Sequence, residues 1–313
     1  MKFVNNPTQL ILTLFLFTII AVFSCKKETS DTSAQDETFA NISATESNAE
    51  ADDVFNGVFD DVLGVNANVG MGGTGIFGRK AGANNGTSYA DGRIDNTGQL
   101  PPCLNIIISQ PTPNAFPITI TFDFGSTGCV ANDGFWRKGK IVVEYSNHLL
   151  IPGATASVKF EDFQIGDSIA IDNSTNYTIT NTGTQDNLQF TVDVSARLSK
   201  PNGNYSEWYS HKTISRIAGN LTSSPLDDVL KIEGRATGKT RRNDLLVAWK
   251  AEITDPFIKK FTCRWISKGT IKTGRENLAS NSQWFGVLDY GSGNCDNRAT
   301  LTINGIKYEI TLR

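Results

Sequence analysis

Side chains able to do chemistry are sparse in this chain, and their spacing offers few ready-made sites. The two histidines, His148 and His211, are 63 residues apart, so neither an H-E-x-x-H nor an H-x-H pair can hold a metal ion. No serine sits in a G-x-S-x-G elbow. Residues 70–75 (GMGGTG) satisfy G-x-G-x-x-G, but a dinucleotide site needs a strand before that turn and a helix after it. Here a helical pattern precedes and glycine-rich chain follows. Residues 234–240 (GRATGKT) approximate a phosphate loop one residue short between its glycines, with an alternating strand after it. That segment reads as a hairpin turn. Twenty Asp and Glu lie beyond residue 100, and nothing singles out two of them as an acid–base pair. No catalytic residue, metal ligand or cofactor is expected.

Cysteine and aromatic side chains give more. Cys103 and Cys129 bracket one expected hairpin, and Cys263 and Cys295 bracket another, each pair at the open end. Four cysteines allow three pairings, and local symmetry favours 103–129 with 263–295. The two hairpins echo each other: residues 123–129 (DFGSTGC) match residues 289–295 (DYGSGNC). Such a carboxylate-rich turn lacks the spaced ligand run of a calcium loop, so a structural turn is expected. Trp249 and Trp265 fit alternating buried faces. Trp136 and Trp208, with Tyr209, sit among polar residues, where exposed rings can stack on sugars; these three are the candidate glycan-stacking residues.

Those groups must be placed by larger elements, which begin with an apolar leader. Residues 10–23 (LILTLFLFTIIAVF) are fourteen apolar or near-apolar positions, suiting a signal peptide better than a membrane span of about 20. Val22-Phe23-Ser24-Cys25 then resembles a bacterial lipobox, although Phe23 is bulkier than usual there. Residues 1–24 are expected to be a lipoprotein signal peptide and Cys25 the lipidated (palmitate-bearing) residue, leaving 289 residues. Buried acyl chains contribute roughly 0.8 kcal/mol per CH₂, so several of them make the membrane a permanent partner.

Residues 25–44 are polar, small and acidic, and read as the anchor plus a flexible tether. The segment 45–102 combines an amphipathic helix with a glycine-rich stretch. Val54, Phe55, Val58, Phe59, Val62 and Leu63 fall on one helical face, and Asp52, Asp53, Asp60 and Asp61 cover the other. Charge divides unevenly: residues 26–100 carry five bases against twelve acids, and residues 101–313 carry 23 against 20. The acidic arm reads as a solvating tether.

From 103 to 313 the chain alternates as strands. Leu188, Phe190, Val192, Val194, Ala196 and Leu198 share one face, and Asn304-Gly305 is a two-residue hairpin turn that pairs Ile303 with Ile306. The expected fold is mainly β: a large antiparallel meander of about twelve to fourteen strands (curved sheet, sandwich or partly open barrel) with one N-terminal amphipathic helix. A net charge of −3 over 313 residues argues against a nucleic-acid partner.

These features together resemble a group of uncharacterised, strand-rich lipoproteins of Bacteroidota. The resemblance rests on the SCKK lipobox, D-[FY]-G-x-x-x-C at 123–129, G-K-I-x-V-x-Y at 139–145 and C-D-N-x-A-T-L-T-I-N-G at 295–305. It implies an envelope lipoprotein of the outer membrane facing the cell surface, and brings no activity with it. The expectation is a non-catalytic surface module for binding, adhesion or structure, with a glycan or an envelope protein as partner. Alternatives are a carrier of an apolar or lipid ligand under the curved sheet, and a carboxylate-based glycan hydrolase.

Overall fold

The computed structural model describes residues 28–65, 68–71, 103–113, 115–131, 134–166, 169–184, 186–220 and 227–312, with side chains from residue 34 onward. The leader, Cys25 and most of the glycine-rich segment, including residues 72–75 of the G-x-G-x-x-G match, lie outside these.

Among the described residues, one helix, α1 (Glu28–Gly64), precedes fifteen strands. They are β1 (Asn105–Ser109), β2 (Ile118–Asp123), β3 (Cys129–Val130), β4 (Trp136–Tyr145) and β5 (Thr155–Ile165). Then come β6 (Ile169–Ile171), β7 (Asn176–Asn181), β8 (Gln189–Ser199), β9 (Tyr205–Ala218) and β10 (Val229–Arg242). The last are β11 (Leu245–Lys260), β12 (Lys268–Arg275), β13 (Gly286–Ser292), β14 (Arg298–Ile303) and β15 (Ile306–Thr311). All pair antiparallel in a single meander. β3 adds beside β4, and β6 and β7 share the slot between β5 and β8. The sheet is not closed as a barrel.

Local chemistry explains the turns. Asn304 and Gly305 both take positive φ (49° and 77°), as a two-residue hairpin of the right twist requires, and the register Ile303↔Ile306, Leu301↔Tyr308, Ala299↔Ile310 follows. Cys103–Cys129 and Cys263–Cys295 are bonded, with Cα–Cα distances of 5.9 and 5.7 Å. The sequence echo is also conformational. Asp123 accepts the Gly125 N–H at 2.9 Å, and Asp289 accepts the Gly291 N–H at 2.8 Å, so each carboxylate shapes its own turn.

The expectations for the N-terminal arm need correction. Residues 28–44 are helical, not a flexible tether, and Ala40, Asn41, Ser43 and Ala44 are buried. The sheet curls around α1, which touches strands from β4 to β14. Small side chains allow this close approach: a Cβ on Gly286 of β13 would collide with Thr45. Further along, Val54, Phe55, Val58, Phe59, Val62 and Leu63 are all buried as expected, at roughly 1.5–3 kcal/mol each. Phe55 stacks on Trp208 with ring centroids 5.3 Å apart and meets Tyr177 edge-on at 5.8 Å.

The acidic side of α1 is not solvated either. Glu37 pairs with Arg275, Glu46 with Arg242, Glu50 with Lys200, Asp52 with Lys212, Asp53 with Arg264, Asp60 with Lys259 and Asp61 with Arg137. The bases come from β4, from β9 to β12 and from the loops after β8 and β11. Desolvation offsets much of the attraction of such pairs, but sliding α1 by one turn (about 5.4 Å) would leave buried charges unmatched. They therefore fix the helix in one register. Burial, reinforced by the Asp61 charge, pushes the Tyr145 phenol well above its usual pKa, and its hydroxyl donates to the Val62 carbonyl at 2.8 Å.

Candidate functional site

Concavities among the described residues include one beside Glu37 and Arg275 and two others that bring apolar and polar side chains together. The first of these two lies where the sheet stays open. Glu46, Ala49, Glu50, Asp53 and Asp60 form the partly exposed stripe of α1, spaced for one helical face. Beside that stripe, Ile165, Ile169, Phe135 and the end of β15 enclose a cavity of about 320 Å³. Each carboxylate on the stripe is already engaged by a base from the sheet or its loops, as paired above. Phe135 is also covered, since the Arg264 guanidinium stacks 3.5 Å from its ring centroid.

The second concavity is on the outer face of β7 to β10, and it follows from strand alternation. Along β9, Ser206, Trp208, Ser210 and Lys212 point inward, which leaves Tyr205, Glu207, Tyr209 and His211 on the outer side. Antiparallel register then sets Asp193, His211 and Arg235 in one row across the sheet, and Ser195, Tyr209 and Thr237 in the next. These side chains line a shallow depression of about 310 Å³. Tyr209 is 51% exposed. His211 Nδ1 lies 2.6 Å from Asp193 Oδ1, which fixes the imidazole beside the ring.

Of the three candidate stacking residues, only Tyr209 belongs to this site. Trp208 is 1% exposed, stacked on Phe55, and its indole N–H donates to Asn48 at 3.0 Å; it is a core residue. Trp136 is half-buried on β4, several strands from β9. Trp249 is buried as expected, and Trp265 is partly exposed.

Arg235 and Lys239 were missed because residues 234–240 read as a turn. They lie instead inside β10, with Arg235, Thr237, Lys239 and Arg241 exposed and Ala236 and Thr240 buried. The signal was present: period-two alternation runs on through Gly238. A side chain at that position would strike the Trp249 ring, so the glycine marks close packing rather than a bend.

Compared with protein-family models, curated proteins and solved structures, the chain matches none of them. The described residues form a helix-filled, open antiparallel β meander with an aromatic–polar depression on its outer face.

Proposed function

We propose that the protein is a lipid-anchored, non-catalytic binding module of the cell envelope, and that its ligand is a glycan. The observation that carries the ligand class is Tyr209. An exposed ring on a rigid sheet, ringed by Asp193, Ser195, His211, Arg235 and Thr237, offers an apolar platform with hydroxyl-seeking donors and acceptors around it. Anchoring is supported by residues 10–25, which carry the leader and the lipobox-like Cys25. An outer-membrane, surface-facing location is part of the same proposal.

The carrier reading draws less support, because α1 occupies the concave side of the sheet with Phe55 and Phe59. A hydrolase would need free carboxyl groups in a cleft, and the α1 carboxylates Glu46, Glu50 and Asp53 are engaged by Arg242, Lys200 and Arg264. A glycan array probed with the detergent-solubilised protein tests the ligand class. Binding that is lost in Tyr209→Ala supports it, and silence across bacterial and host glycans would overturn it. Labelling with a palmitate analogue, lost in Cys25→Ala, tests the anchor separately.

A further inference from the structure

The outer face of β8 to β10 carries more than one aromatic ring. Tyr205 lies four residues before Tyr209 on the same side of β9, about 13 Å away at a strand's rise per residue. The Arg197 guanidinium stacks on it, 3.9 Å from the ring centroid. Beside both tyrosines, β10 lines up Arg235, Lys239 and Arg241, all exposed. Register sets Arg235 across from His211, Lys239 across from Glu207 and Arg241 across from Tyr205.

The acids beside these residues are Asp193, Glu207, Glu233 and Glu252, and three of them are in use, Glu233 by Lys231 at 2.7 Å. Asp193 is bonded to His211, and Glu207 is bonded to Arg197 at 3.2 Å. Glu252 stands opposite Arg235 on β11. The strip therefore presents an excess of positive charge along β10, parallel to a pair of aromatic rings on β9.

We propose that this strip binds an acidic polysaccharide, running along β9 and β10 with a sugar face on Tyr209 and its anionic groups toward Arg235, Lys239 and Arg241, past the Tyr205 ring that Arg197 caps. The inference rests on the glycan reading above and narrows it to a charged chain. An aromatic platform suits the apolar face of a sugar ring, and the spaced cations suit a chain that repeats a negative charge. Ser195 and Thr237 supply hydroxyl partners between the charges. A nucleic acid is the competing polyanion, and single-stranded DNA stands for it in the test.

The test uses the detergent-solubilised full protein against four immobilised probes: polygalacturonate, heparin, neutral dextran and single-stranded DNA. The variants are Tyr209→Ala and the triple Arg235→Gln/Lys239→Gln/Arg241→Gln, whose exposed positions leave the core untouched; circular dichroism checks the fold. The expected result is binding to one or both acidic glycans that falls as salt rises, weakens about tenfold in the triple variant and weakens in Tyr209→Ala. Polygalacturonate against heparin distinguishes carboxylate from sulfate as the anionic group. Dextran bound as tightly as the acidic chains would overturn the charge inference and leave the glycan reading standing. DNA bound more tightly than either acidic glycan would overturn the inference in favour of a polyanion surface. No binding to any probe, with a silent glycan array, would overturn both.

Discussion

The pairing of Asp52 with Lys212 is the sharpest test of how α1 sits in the sheet. Lys212 Nζ donates to Asp52 Oδ1 at 2.6 Å, and the two side chains are 6% and 5% exposed. Asp52→Asn keeps the shape but leaves a buried ammonium without its counter-charge, beside Trp208 and within reach of Asn56 at 3.5 Å. Removing one member of a buried pair costs about 3–5 kcal/mol. At roughly 2–4 °C per kcal/mol, that lowers Tm by about 6–20 °C. Asp52→Leu combined with Lys212→Met removes both charges and is expected to cost less than either single change, giving a coupling energy of about 3 kcal/mol. The assay is urea unfolding of the solubilised protein followed by near-ultraviolet circular dichroism. Glu50→Gln is the control, because its partner Lys200 is partly exposed and the loss should stay below about 1 kcal/mol. If Asp52→Asn also loses less than about 1 kcal/mol, α1 is not held by matched buried charges, and the register argument fails.

Three further outcomes follow from the same coordinates. Replacing Cys103 and Cys129, or Cys263 and Cys295, by alanine should cost about 3.5 kcal/mol in either case, from loop closures of 26 and 32 residues, read as a fall in the urea midpoint. Phe55→Ala should cost about 3–5 kcal/mol and alter tryptophan emission, since it removes the ring stacked on Trp208. Asp228 is raised from 3.8 to about 6, chiefly by burial, with Arg216 opposing. The folded state thus holds that proton more tightly than the unfolded chain, so its contribution is full below about pH 3.8 and is lost as pH rises through about 6. Tm measured across pH 4–7 should show this decline, and Asp228→Asn should flatten it.

The strand-rich body was legible because its turns and one apolar face obey simple rules. Asn304-Gly305 set a register that holds for every pair tested, and the cysteines at the open ends of two hairpins are joined as their symmetry favoured. What failed shares one cause. Sequence patterning detects contrast between apolar and polar faces, and the inner surface here is partly polar. Ser206, Ser210 and Lys212 point inward around Trp208, so β9 shows no clean alternation and its tryptophan passes for a surface ring. Ala40, Asn41, Ser43 and Ala44 are small, and two of the four are polar, which is also the composition of a linker. Only the partners across the gap, invisible in a linear reading, turn these residues into core.

The same partners change the meaning of the charge division. Residues 101–313 hold 23 bases and 20 acids, a surplus that suggests a mildly basic body. Seven of those bases, Arg137, Lys200, Lys212, Arg242, Lys259, Arg264 and Arg275, are matched to acids of α1. Sixteen bases against twenty acids then remain for the rest of the body, so what is left is mildly acidic. Against that background the cations along β10 are an exception of placement rather than of composition. Arg242, the next residue after Arg241, turns inward to Glu46, while Arg241 stays outside. One step along a strand separates a charge that locks the helix from a charge available to a ligand, and a one-residue slip of β10 would exchange the two roles. Removing inward bases should therefore lower stability and spare glycan binding, while removing outward ones should do the reverse.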